Sequence, residues 1–83
     1  MGELDERISI LENNDMIILK SNDEIIYCKL VDLYGIEVNY GMKQIGENEV
    51  LFDKIKLARG VYFIRIITND KIKHLQNIKL IIN

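Results

Sequence analysis

Apolar and polar residues alternate along most of this chain with the two-residue period of an extended strand, and the alternation stops at clusters of turn formers. Ile8-Ser9-Ile10-Leu11-Glu12 predicts a first strand, and Asn13-Asn14-Asp15 the turn after it. Met16-Ile17-Ile18-Leu19-Lys20 predicts a second, closed by Ser21-Asn22-Asp23. A third runs over 24–33, with Ile26, Cys28 and Leu30 inward and Lys29 outward. It ends at Asp32-Leu33-Tyr34-Gly35, where an acid able to accept turn amide bonds precedes a glycine suited to positive φ. Ile36, Val38 and Tyr40 alternate with Glu37 and Asn39 and predict a half-buried fourth strand. Residues 41–48 read as a polar connection, 49–52 as a fifth strand, and 53–59 as a bridge with room for one helical turn.

The stretch that follows organises the rest. Gly60 leads into Val61-Tyr62-Phe63-Ile64-Arg65-Ile66-Ile67. Tyr62, Ile64 and Ile66 share one face and Val61, Phe63, Arg65 and Ile67 the other; both faces are largely apolar, which predicts a central sixth strand. Gly60 marks a sharp backbone turn or a close approach of another segment. Asn69-Asp70 tolerates the positive φ of a tight hairpin. A seventh strand is expected over 71–82, with Ile78, Leu80 and Ile82 in register and Lys71, Lys73 and Lys79 guarding an edge. No helical stripe longer than two turns can be drawn. Short strands bounded by turn clusters predict an all-β antiparallel sandwich.

Length and composition narrow the class. Eighty-three residues make one core, here expected over 8–83, with 1–7 as linker or added residues and Met1-Gly2 as a remnant ahead of a domain cut from a longer protein. Hydrophobic residues at 48% and charged residues at 29% are globular proportions. The longest apolar runs are three or four residues, against the roughly 20 that a spanning helix needs. The acidic start lacks the apolar core of a signal peptide. Charge is lopsided: residues 1–53 carry −8 and residues 54–83 carry +6, as though strands from the two ends lay side by side. The basic part lacks arginine clusters interleaved with exposed aromatics, so no nucleic-acid partner is expected.

Candidate chemistry is sparse. One cysteine allows no internal disulfide and no multi-cysteine metal site, and Cys28 reads as a small buried thiol. His74 is the only histidine, on a lysine-rich strand, and its pairing with Cys28 is disfavoured by the apolar neighbours of that thiol. Asp5, Glu6, Asp23, Glu24, Glu47 and Glu49 lie in turns or at strand ends without the spacing of a calcium loop, and read as solvated turn residues. Glycine-rich phosphate loops are absent. Tyr34 is the one aromatic placed for stacking on a sugar, and its simpler role is a turn residue. The expectation is a non-enzymatic module with no cofactor and no metal.

Motif order adds a more specific reading. Lys29-Leu30-Val31-Asp32-Leu33-Tyr34-Gly35 is followed by a strand containing Glu37-Val38, then Gly46-Glu47-Asn48-Glu49-Val50, then Leu57-Ala58-Arg59-Gly60-Val61-Tyr62-Phe63-Ile64-Arg65-Ile66, and a basic last strand holding Ile78-Lys79-Leu80-Ile81. This series resembles the C-terminal sorting domain of cargo proteins of the type IX secretion system of Gram-negative bacteria, over about residues 8–82. The chain differs from the family's usual pattern in having no proline, so no Pro-Asn-Pro turn opens it, and in having Ile36 after the hairpin glycine. The resemblance implies an immunoglobulin-like sandwich of about seven strands, attached to an upstream cargo domain. It implies export through the periplasm to the cell surface or medium, with an outer-membrane translocon and a sortase-like protease as partners. Asp32 and Gly35 would set the hairpin, Gly60 and Tyr62 would be fold-determining motif residues, and Lys79, Leu80 and Ile81 would carry the terminal signal. The physical rationale is strand addition at a sheet edge, with lysines favouring an acidic receptor groove. Two other readings are an accessory sandwich of a secreted enzyme that binds carbohydrate or protein, and an otherwise monomeric domain that pairs weakly through its last strand.

Overall fold

The computed structural model describes residues 7–71, 73 and 75–83. The readings of Asp5, Glu6 and His74 fall outside them. Among the described residues there are seven strands and no helix: β1 (Ile8–Glu12), β2 (Met16–Ser21), β3 (Ile25–Asp32), β4 (Met42–Gln44), β5 (Glu49–Asp53), β6 (Gly60–Thr68) and β7 (Gln76–Ile82). They form two antiparallel sheets, ordered β1-β2-β5-β4 and β3-β6-β7. Lettered along the chain from A to G, this order is ABED against CFG, the strand arrangement of a seven-stranded immunoglobulin-like sandwich.

The core forms because each inner face carries every second residue of its strands. Ile17 and Leu19 of β2 sit opposite Phe52 and Val50 of β5, all fully buried. From the other sheet come Leu30, Ile64 and Ile66, also fully buried, with Tyr62, Ile78, Leu80 and Ile82 nearly so. Burying a side chain of this size stabilises by about 1.5–3 kcal/mol, so the dozen or so core residues supply the main driving force. Ion pairs between described residues join distant parts of the chain, among them Lys54 Nζ–Glu12 Oε2 at 2.6 Å and Arg7 Nη2–Asp70 Oδ2 at 2.9 Å.

Several sequence readings need correction. Residues 36–40 do not form a strand: they make one bridge to β3, between Glu37 and Val31, and then leave. Their task is to cross from one sheet to the other, and Gly41 (φ +76°) turns the chain into β4. That short strand lies within the polar connection expected over 41–48, where Met42 as its one apolar residue carries no alternation. Ile26 points outward, half exposed, because β3 carries a bulge: Ile25 pairs with Thr68 but Tyr27 with Ile67. One extra residue reverses the faces, after which Cys28 and Leu30 face inward as expected. After β6, the left-handed residue among those described is Lys73 (φ +53°) rather than Asn69 or Asp70, and its amide donates to Asp70 Oδ1 at 2.8 Å. The last strand accordingly begins at Gln76, leaving Lys71 and Lys73 before the edge they were expected to guard and Lys79 on it. Residues 53–59 carry one turn, Lys56 N–H to Asp53 O, without a helix.

Candidate recognition surface

The three-stranded sheet and the turn after its first strand gather the motif residues that the resemblance singles out. Asp32 ends β3, Gly60 and Tyr62 open β6, and Lys79, Leu80 and Ile81 lie on β7. Register sets them side by side: Asp32 faces Tyr62, and Tyr62 faces Leu80 on its other flank. Gly60 pairs with Ile82, Val61 with Ile81, and Phe63 with Lys79. Gly35 lies in the turn beyond Asp32.

The hairpin owes its shape to one carboxylate and one glycine. Asp32 Oδ1 accepts the amides of Tyr34 at 2.9 Å and Ile36 at 3.0 Å. The Asp32 carbonyl accepts the amide of Gly35 at 3.0 Å, and Gly35 adopts φ +82°, where a side chain would be strained. Tyr34 at its tip is 85% exposed, while Leu33 and Ile36 beside it are also solvent-facing.

Gly60 serves backbone conformation rather than close approach. Its φ is +151°, and a side-chain carbon there would meet nothing within 4 Å. The chain thereby swings into β6 so that Tyr62 is buried while its hydroxyl donates back to the Ala58 carbonyl at 2.7 Å. A tyrosine near the start of strand F, bonded to the backbone a few residues upstream, is the tyrosine corner of immunoglobulin-like sandwiches. This bond is a physical basis for Tyr62 as a fold-determining residue. Burial raises the Tyr62 phenol above its ordinary pKa, with smaller contributions from Tyr40 and Asp32.

On β7, Leu80 belongs to the core and is 6% exposed, whereas Lys79 and Ile81 face solvent. Among the described residues the strand pairs only with β6, so its other side is a sheet edge there. Leu80 therefore holds the strand in place, and Lys79 and Ile81 are the residues a partner could read.

The remaining chemistry is thin. Burial pushes the Cys28 thiol up to about 11, which disfavours the thiolate that a nucleophile or metal ligand needs. Among the described residues, no group of three or more histidine, cysteine, aspartate or glutamate side chains is arranged to hold a metal ion. Among them, too, no helix is long and apolar enough to cross a membrane. Neither the models of protein families, nor curated proteins, nor solved structures give a match to this chain.

Proposed function

We propose that this domain is a non-catalytic sorting module of the type IX kind, which directs an attached cargo through an outer-membrane translocon and is then removed by a sortase-like protease. The observation that carries the reading is the row Asp32–Tyr62–Leu80, which joins the hairpin motif, the glycine-led motif and the terminal-strand motif across neighbouring strands. Residues that resemble the family's pattern in sequence are thus adjacent in space and close on an open edge. That edge offers unpaired backbone groups for strand addition, and exposed Lys79 and Ile81 beside them.

The test is export. Residues 3–83 fused behind a periplasmic reporter in a type IX-competent host should carry the reporter to the cell surface. The double variant Lys79→Glu, Ile81→Asn should reduce export while leaving the circular dichroism spectrum and melting temperature of the domain unchanged, since neither side chain is in the core. A reporter retained in the periplasm beside a working translocon would overturn the proposal.

A second reading, an accessory sandwich that binds carbohydrate, draws on exposed Tyr34 next to a groove of about 230 Å³ that Arg59 and Tyr62 also line. It predicts glycan-dependent quenching of tyrosine fluorescence that Tyr34→Ala removes.

A further inference from the structure

The outward face of the three-stranded sheet has a composition that completing the sandwich does not require. Along β6 its outward residues are Val61, Phe63, Arg65 and Ile67. Across the ladder, Lys29 stands opposite Arg65, and Val31 opposite Phe63, which has Lys79 on its other side. Val31 is 5% exposed yet lies outside the main core cluster, so this face has an apolar centre of its own.

Its charges are unevenly matched. Like charges directly opposite on neighbouring strands are destabilising, and Lys29 and Arg65 are such a pair. Glu37 answers Lys29 at 3.3 Å. The Asp32 carboxylate is engaged by two backbone amides. Arg65 and Lys79 are exposed and make no ion pair with a described residue. A groove of about 390 Å³ opens here, lined by Val31 and Phe63, by Asp32, Leu33 and Gly35 of the hairpin, and by Arg65 and Asn77; with Lys29, Arg65 and Lys79 set against Asp32 and Glu37, the face keeps a net positive charge.

We propose that this groove binds an extended acidic peptide segment in which an apolar side chain and a carboxylate stand two residues apart. Spacing and sign both lead to this ligand. Phe63 and Arg65 are two residues apart on one face of a strand, about 6.5–7 Å along it. An extended peptide laid along β6 repeats its own same-face side chains at that interval, so an apolar group over Val31 and Phe63 brings a carboxylate to Arg65. Lys79, beside Phe63, supplies a second cation to the same ligand. Arginine favours the carboxylate through its planar fork of donors. This surface is the sheet's outward face; it shares Lys79 with the β7 edge but stands whether or not the domain directs export.

The experiment is amide chemical-shift mapping on the isotopically labelled 83-residue chain. The ligand is a blocked synthetic peptide of repeating Glu-Ser-Leu-Ser, with one control replacing Glu by Lys and another replacing Leu by Ser. Saturable shifts confined to β3, β6, β7 and the hairpin are expected with the Glu/Leu peptide, weakening as salt is added. The Lys control should give none, and the Ser control a much weaker response. Arg65→Glu should weaken binding by about tenfold. The proposal is overturned by shifts on the four-stranded sheet, by equal binding of the Lys control, or by an unshifted spectrum at millimolar peptide. It is overturned equally if glutamate alone or anionic vesicles reproduce the pattern, or if dilution shows the shifts to report self-association. The unmodified chain decides these outcomes, so they do not depend on how the variant folds.

Discussion

Tyr62, Gly35 and Cys28 show how much a single side chain can govern in a chain this small. Tyr62→Phe keeps the buried ring but deletes the donor to Ala58. It should cost about 1–2 kcal/mol, because a carbonyl that was paired loses its partner, and a urea titration would measure it. A variant as stable as the parent would show that the corner bond contributes nothing. Cys28 makes a prediction about alkali. Its thiol rises from 9.0 to about 11 on folding, so the native state holds that proton more tightly. The associated stability is complete below pH 9 and is lost as pH climbs towards 11. Unfolding midpoints should therefore fall across that window, and Cys28→Ala should make the fall shallower; an identical slope in the variant would assign it elsewhere. At this scale the sequence was informative where local chemistry decides the geometry. Asp32 and Gly35 act within four residues of each other, so the hairpin was readable. The hydroxyl of Tyr62 reaches Ala58 only because the chain bends at Gly60, and nothing in the local pattern announces that bond.

Strands were legible where alternation was long and uninterrupted, and misread where the sheet departs from regularity. β1, β2, β5 and β6 follow their patterns closely. β3 does not, because the bulge at Ile26 shifts the phase halfway through and two-residue periodicity cannot register an inserted residue. This has a direct test. Deleting Ile26 removes the unpaired residue and leaves Ile25 opposite Thr68 and Tyr27 opposite Ile67 as consecutive pairs, so the domain should still fold. Deleting Cys28 instead lets the extra residue fill the gap, so Leu30 stays opposite Ile64 but the large Tyr27 is turned inward opposite Ile66 in place of the small Cys28, and the melting temperature should fall further. Equal damage from the two deletions would contradict the register. The segment 36–40 has a strand's alternation but a crossover's job, and Val38 is the one side chain there that packs against the core. Pattern reports burial, and burial does not distinguish a ladder from a passing segment. Conversely β4 is too short and polar to carry a pattern, and it exists because β5 offers it a partner.

For the molecule as a whole, the lopsided charge is not met by end strands lying side by side, since β1 and β7 belong to different sheets; Lys54–Glu12 joins a base of the second part to an acid of the first, and Arg7–Asp70 runs the other way. The β7 edge carries Lys79 as its guard, and two copies meeting there would bring lysines together, which opposes pairing. Sedimentation velocity should give one monomeric boundary over a wide concentration range, and Lys79→Ala should be the variant in which a dimer first becomes visible.

The interleaving of the two sheets has a consequence for how the domain comes into being. β6 finds β3 only across some thirty-five residues, and β5 must reach back to β2 over a comparable gap. Neither layer can close from neighbours in sequence alone, so assembly waits on β6. A fragment ending at residue 59 should stay uncollapsed and protease-sensitive, and the intact domain should fold in milliseconds to seconds, the range of sandwiches built from non-local pairings. Threaded through a pore from its first residue, such a chain remains pliable until nearly three-quarters of it has passed.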